Sequence, residues 1–297
     1  MEKIDLHTHT TYSDGELDIT SLILEAKKAG VETLAITDHE TIIGLINHKK
    51  ASNKYGIKII PAIEMNVNIS GVHILGYYID DINKVEKHFD KIKLENENIV
   101  FDIIKHLKKY GIKIDEAAVI ENTLEYHKNK KSVVEVNSDI FKYQKEFIIT
   151  KNDIARTMQD IKITSSINES YSKYLNDSTK KYCIKTNKID AKEAIELIHE
   201  SGGLTVLAHP MTVRTKKESL ISICKTLKSY GLSGIEINGP RFTNKQNIQY
   251  KGIAEQLNFI ETVGSDFHRT DQELGMYVSS KIMDNLESKS KELKLTR

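Results

Sequence analysis

The sequence predicts an α/β fold, either a mainly parallel sheet or a closed barrel, interrupted by a helical insertion. Three observations predict it. Short apolar runs alternate with helix-like segments in both the early and the late part of the chain. Between residues 82 and 188 that alternation breaks down into charged, helix-rich sequence. Finally, six of the 11 histidines stand at or beside the ends of the apolar runs, where α/β folds place their chemistry.

Taken in order, Lys3–Leu6 reads as a strand, followed by a polar loop and a helix near Ile19–Ala29 that Gly30 can stop. Thr33–Ile36 is the next strand, then come a loop carrying His39 and a helix reaching about Asn53. Ile57–Pro61 and Glu64–Ile69 look extended, and Val72–Tyr78 is an apolar strand. The late half gives helix Ala191–Ser201, strand Leu204–Ala208, helix Lys217–Tyr230, strand Gly234–Ile237, helix Asn244–Leu257 and strand Phe259–Val263. Residues 1–81 and 189–297 then form the α/β body, and residues 82–188 an inserted helical subdomain. Within the insertion Ile82–Tyr110 is mostly helical, Asp115–Tyr143 is polar without a firm period, and Asp153–Asp160 and Asn168–Leu175 read as short helices. The insertion reads equally as a lid over a site or as a solvated decoration.

Composition narrows the function classes. Lys+Arg and Asp+Glu nearly cancel, 43 against 42, so no basic excess points to nucleic-acid binding by charge alone. At 39% apolar and 29% charged, the 297 residues suit a buried core under a solvated surface. Two cysteines, Cys183 and Cys224, are too few for a disulfide framework and read as small packing residues in a reducing compartment. No run approaches the length of a membrane span and no signal-type leader is evident, so the expectation is a cytoplasmic protein with no membrane and no obligate protein partner.

The chemistry-bearing residues fall into clusters. His7 and His9 in IDLHTHT share one side of an extended segment, because strand side chains repeat every second residue. Ser13-Asp14-Gly15 follows, and a glycine there lets a tight loop return Asp14 toward the same centre. His39 closes the run LAITDH; Asp38 beside it reads either as a partner orienting an imidazole or as a helix N-cap. Glu64 lies among apolar neighbours, which is costly for a carboxylate unless it is paired or metal-bound. His73 opens VHILGYY, His209 follows LTVLA and precedes Pro210, and Asp266 and His268 stand in GSDFH. Imidazoles and carboxylates at strand ends are the donor set of catalytic zinc, manganese or iron. Of the remaining histidines, His48 and His199 fall on predicted helices and read as solvent-exposed.

The ordered set DLHTHT…SDG, TDH, IE, VHILGY, VLAHP and GSDFH resembles the PHP (polymerase and histidinol phosphatase) superfamily. It is most similar to the stand-alone metal-dependent phosphoesterases that include nucleoside 3′,5′-bisphosphate and 5′-nucleotide phosphatases. The likeness runs over nearly the whole chain, including IITKNDIARTMQD, which resembles an insertion helix of that branch. The resemblance implies a distorted (β/α)7 barrel with two or three divalent ions, Mn first, Fe or Zn otherwise, at its C-terminal rim. It implies His7, His9, Glu64 and Asp266 on a first ion; Asp14, His39 and His268 on a second; His73, His209 and a bridging Glu64 on a third. Asp14, His39, Glu64, His209, Asp266 and His268 would be the catalytic set. The chain departs from the branch at Lys151 and Asp153, where Arg and His are frequent, and at Asn238-Gly239-Pro240, where a histidine is frequent.

Three divalent ions against three carboxylates would leave a net charge of about +3, and two ions about +1, enough to draw in a phosphate dianion. The implied reaction is hydrolysis of a phosphomonoester of a small metabolite, a nucleotide by preference, by metal-activated water and without a covalent intermediate. Arg214 and Arg241, with Lys151 and Arg156 from the insertion, are the candidate phosphate contacts. The competing expectations are 3′–5′ exonuclease action on short RNA or DNA, histidinol phosphate hydrolysis, and a non-catalytic metal-binding regulatory module.

Overall fold

The computed structural model describes residues 1–131, 149–176, 181–182, 184, 187–213 and 217–296. Eight strands make one sheet: β1 (Glu2–Thr8), β2 (Thr33–Ile36), β3 (Lys58–Asn66), β4 (His73–Tyr77), β5 (Leu204–Leu207), β6 (Gly234–Asn238), β7 (Ile260–Val263) and β8 (Met276–Val278). Their order is β7-β6-β5-β4-β3-β2-β1-β8. β1, β2 and β3 run parallel, as do β5, β6 and β7; β4 is antiparallel to both of its neighbours, and β8 is antiparallel to β1.

The sheet closes on itself beyond β7. Thr8 bridges Phe267 in parallel, the Asp266 N–H donates to the His7 carbonyl at 2.9 Å, and the His9 N–H donates to the Phe267 carbonyl at 2.8 Å. This is the seven-membered barrel that the resemblance implied, with β8 added outside β1. Because β4 runs against the rest, its first residue, His73, lies at the rim where its neighbours end. Chain reversal at a single strand thus leaves all the proposed donors at one end of the barrel.

Helices cover the strands for local reasons. Helix α1 (Ile19–Lys28) starts where the Asp18 carboxylate accepts from the Thr20 and Ser21 N–H groups, and ends before Gly30 at φ +79°. It buries Ile19, Leu22, Ile23 and Ala26, a spacing that keeps one face inward. Each of its buried Ile and Leu side chains contributes roughly 1.5–3 kcal/mol. Helix α2 (His48–Tyr55) follows a 3₁₀ turn at Ile43–Leu45, and α3 (Ile82–Lys109) leaves this body. Near the start of α3 the buried Glu86 accepts from Thr41 Oγ1 and from the Ile42 and Ile43 N–H groups, which anchors the loop after His39.

The chain divides into two compact units. Among the described residues the first holds 1–88, 188–213 and 217–296 and contains the barrel. The second takes in 89–131, 149–176, 181–182, 184 and 187, with α4 (Glu116–Lys131), α5 (Lys151–Asp160) and α6 (Ile167–Ser170), the last running into a wide turn at Tyr171–Leu175. Its own core gathers Val100, Ile103, Ile104, Leu107, Ile154 and Met158. The first unit ends with α7 (Ala191–Glu200), α8 (Lys217–Tyr230), α9 (Asn244–Leu257) and α10 (Lys281–Leu295). No helix among the described residues is long and apolar enough to cross a membrane.

Several readings need correction. Ile57–Pro61 and Glu64–Ile69, expected as separate extended pieces, form the single strand β3. Glu116–Lys131, within the stretch read as polar without a firm period, is a helix; Val119 and Thr123 are buried while Ile120 and Leu124 are exposed, so polar and apolar residues mix on both faces. β8 and α10 were not anticipated at all. His48 and His199 are half-buried, not solvated. Arg214 and Cys183 lie outside the described residues.

Candidate metal centre

Nine side chains from distant segments meet at the barrel rim. His7 and His9, from β1 and just beyond it, are fully buried, as is Glu64 near the end of β3. His39 leaves the loop after β2, His73 opens β4, and His209 follows β5. Asp266 and His268 follow β7, and Asp14 returns on the loop after β1. Three overlapping groups have one ligand atom per residue within 4.8 Å of every other: His7, His9, Glu64 and Asp266; His9, Asp14, His39 and His268; and His39, Glu64 and His73. His209 joins the last through Nε2, which lies 2.8 Å from Glu64 Oε1.

Glu64 is the hub. Its Oε1 is 2.8 Å from His73 Nδ1 and 2.8 Å from His209 Nε2. Its Oε2 is 3.1 Å from His7 Nε2, 3.2 Å from His9 Nε2 and 3.4 Å from His39 Nδ1. Asp266 Oδ1 stands 3.5 Å from His7 Nε2 and 3.4 Å from His9 Nε2, and Asp14 Oδ1 lies 3.2 Å from His268 Nε2.

The far sides of the rings decide which nitrogen is free. His7 Nδ1 faces Glu236 Oε1 at 3.2 Å, and His268 Nδ1 faces the Asp266 carbonyl at 2.8 Å. Each Nδ1 faces an acceptor, so with a cation at Nε2 the ring hydrogen belongs on Nδ1. Thr212 Oγ1 donates to the Gly71 carbonyl at 2.7 Å and thereby accepts from His209 Nδ1 at 3.1 Å. Ser13 Oγ donates to Asp38 Oδ1 at 2.6 Å and accepts, more loosely, from His9 Nδ1 at 3.5 Å. On four imidazoles, then, the nitrogen left for an ion is the one turned toward the carboxylates. That arrangement needs positive charge in the middle, supplied by extra protons or by cations.

Titration behaviour has the same origin. Burial opposes a charged His9, but the Asp266 and Glu64 carboxylates outweigh it and lift the ring to about 10; His7 is raised as well. Burial dominates at His39 and lowers it to about 4. Burial also works against the charged forms of Glu64, Asp266 and Asp14, yet the surrounding imidazoles hold all three well below the usual carboxylate range. His9 Nε2 makes no hydrogen bond despite being buried among acceptors. A buried ring nitrogen without a hydrogen-bond partner, three carboxylates and six imidazoles make a donor set suited to divalent metal ions.

Backbone strain concentrates here. His209 has φ +21° and Asp266 φ +56°, conformations that cost non-glycine residues on the order of 1–3 kcal/mol and persist where surroundings over-determine them. Gly264 is obligatory: a Cβ there would lie 2.2 Å from His7 Cβ.

Other expected contacts resolve differently. Asp38 neither orients an imidazole directly nor caps a helix; it accepts from the Thr10 N–H at 2.8 Å, from Thr10 Oγ1 at 2.6 Å and from Ser13. Arg241 reaches the rim but its Nη1 pairs with Asp266 Oδ2. Arg156 binds Asp153 Oδ1 at 2.7 Å and stacks on Tyr126 at 3.5 Å, and Lys151 opens the same helix; both belong to the second unit. Sequence reasoning missed Glu236, Thr212 and Asp5. Asp5 accepts from the N–H groups of Ser265 and Gly275, each at 2.9 Å, which ties β1 to the segment carrying Asp266. A lone acid inside the apolar runs IDL and GIEIN was the available signal.

The PHP domain family matches residues 5–223. A 5′-3′ exoribonuclease of Haemophilus influenzae is 27% identical over 270 residues, covering 90% of this chain and 90% of that protein. A 3′,5′-nucleoside bisphosphate phosphatase of Chromobacterium violaceum is 22% identical over 273 residues, covering 90% of this chain and 88% of the relative. Among solved structures, an amidohydrolase from Chromobacterium violaceum with bound sulfate superposes with a TM-score of 0.77 at 22% identity, covering 96% of each chain.

Proposed function

The chain belongs to the PHP domain family and is a metal-dependent phosphoesterase, and we propose that it removes a phosphate from a nucleotide, either a 5′-nucleotide or a nucleoside 3′,5′-bisphosphate. One observation carries the reading: a buried carboxylate, Glu64, approached by five imidazole nitrogens at 2.8–3.4 Å, beside two further carboxylates at a barrel rim. His7, His9, Glu64 and Asp266 would hold one divalent ion, Asp14, His39 and His268 a second, and His73 and His209 with Glu64 a third. Mn is the ion proposed first, and Fe or Zn would be accepted by the same nitrogen and oxygen donors.

Bound ions would supply positive charge against the phosphate oxygens and lower the pKa of water. The protein's own part is orientation. Glu236, Thr212 and the Asp266 carbonyl keep the His7, His209 and His268 rings turned so that Nε2 points inward. Arg241, half exposed beside Asp266, offers its remaining donors to a phosphate arriving at the rim. Cys224 is buried on α8 and burial pushes its thiol up to about 12, which disfavours it as a nucleophile. The reading is therefore of direct hydrolysis.

The Haemophilus relative, similar over most of both chains, favours a second reading: exoribonuclease action on short RNA. Its named polarity, 5′ to 3′, is opposite to the nuclease expectation drawn from the sequence. A Mn²⁺ assay against nucleoside monophosphates, 3′,5′-bisphosphates, histidinol phosphate and short oligoribonucleotides separates these. Phosphate release from the nucleotides supports the first reading. Nucleotide release from RNA 5′ ends without it supports the second, phosphate release from histidinol phosphate alone overturns both, and silence despite confirmed metal loading favours a regulatory module.

A further inference from the structure

Glu236 sits in the middle of β6 at 1% exposure, between Ile235 and Ile237. A carboxylate buried in a barrel is costly unless its oxygens are bonded. Both are bonded, and to two different segments of the centre. Oε1 faces His7 Nδ1 at 3.2 Å, and Oε2 accepts the His209 backbone N–H at 2.6 Å. The niche is built around it, since a Cβ on Gly264 would come within 2.9 Å of Oε1.

We propose that Glu236 is a positioning residue of the metal centre, which fixes the His7 tautomer and pins the strained His209 backbone so that both Nε2 atoms reach Glu64. This rests on the reading that the cluster binds divalent ions. One acceptor keeps the hydrogen on His7 Nδ1, leaving Nε2 free to coordinate. The other holds His209, at φ +21° and followed by Pro210, in a turn that the residue would otherwise leave. A glutamine cannot do both: whichever way its amide is turned, its NH₂ faces either the His7 Nδ1–H or the His209 N–H.

The test compares the full chain with Glu236→Gln by equilibrium dialysis against Mn²⁺, read by elemental analysis. Wild-type uptake with a dissociation constant roughly 10- to 100-fold weaker in the variant is expected. Equal affinity in the variant overturns the role of Glu236. No uptake by the wild type overturns the metal reading instead, so the two failures are distinct. Nitrogen-15 imidazole spectra of Zn²⁺-loaded wild type, with His7 assigned by loss of its signal in His7→Gln, need no folded Glu236 variant. A proton on His7 Nδ1 is expected, and one on Nε2 overturns the proposal.

Discussion

Thr212 Oγ1 lies 3.1 Å from His209 Nδ1 while giving its own proton to the Gly71 carbonyl at 2.7 Å. With its proton given to a carbonyl, the hydroxyl accepts from the ring, which places the imidazole hydrogen on Nδ1. Thr212→Val keeps the shape and removes the acceptor. Its kcat/KM is expected to fall roughly 10- to 100-fold, with about 1 kcal/mol lost from stability, whereas Thr212→Ser retains activity. Steady-state kinetics and urea unfolding on both variants check this; equal activity in the valine variant contradicts it.

Metal uptake should expel protons. In the metal-free chain the His9 ring, lifted to about 10 by Asp266 and Glu64 against the effect of burial, is charged near neutral pH and must lose that proton to coordinate. Calorimetric titration with Mn²⁺ in two buffers of different ionisation enthalpy is expected to give different apparent heats. Identical heats would show that no proton leaves.

Chelation should lower thermal stability, because ions bind the folded donor set and not the unfolded chain. At a free metal concentration 100 times the dissociation constant the expected gain is about 2.7 kcal/mol. Differential scanning calorimetry with and without chelator reads the difference directly, and superimposable transitions count against the centre.

The metal-free protein should lose stability as pH rises. His9 has a folded value of about 10 against an ordinary 6.5, so its contribution is complete below 6.5 and disappears as pH climbs through 10. His39 acts in the opposite sense: lowered to about 4, it contributes above 6.5 and loses that contribution as pH falls toward 4. Urea midpoints of metal-free protein are expected to decline through the alkaline window, and less steeply in His9→Gln. A rising midpoint there contradicts the assignment.

Gly264→Ala should disturb stability and site together. The added methyl would lie 2.2 Å from His7 Cβ and 2.8 Å from the His7 backbone nitrogen, contacts that only backbone movement can relieve. A loss of about 1–3 kcal/mol is expected, with weakened metal binding. Asp14→Ala is the complementary case: Asp14 lies on a loop with its side chain 36% exposed, so turnover should vanish while circular dichroism stays as in the wild type.

The convergence of the nine donors was legible because all but Asp14 stand in or beside apolar runs, and closing a barrel brings strand ends together. Their supports were harder to read. Glu236 in GIEIN looks like the solvent side of an alternating strand until both faces of β6 are known to be covered. Thr212 acts only because a carbonyl 141 positions earlier takes its proton, which no local pattern records. Asp38 was read against its neighbour His39, yet its partners, Thr10 and Ser13, come from another loop. β8 escaped notice because three residues carry too little periodicity to separate from a turn.

The joining of Thr8 to Phe267 sets an order of events in the cell. On the ribosome, the first two histidines emerge when the acid and imidazole that face them across the seam have yet to be translated. The donor set is complete only once residue 268 has been made and the segment that follows β7 has docked against β1. A polypeptide cut short before Asp266 would lack a donor from each of two of the three groups.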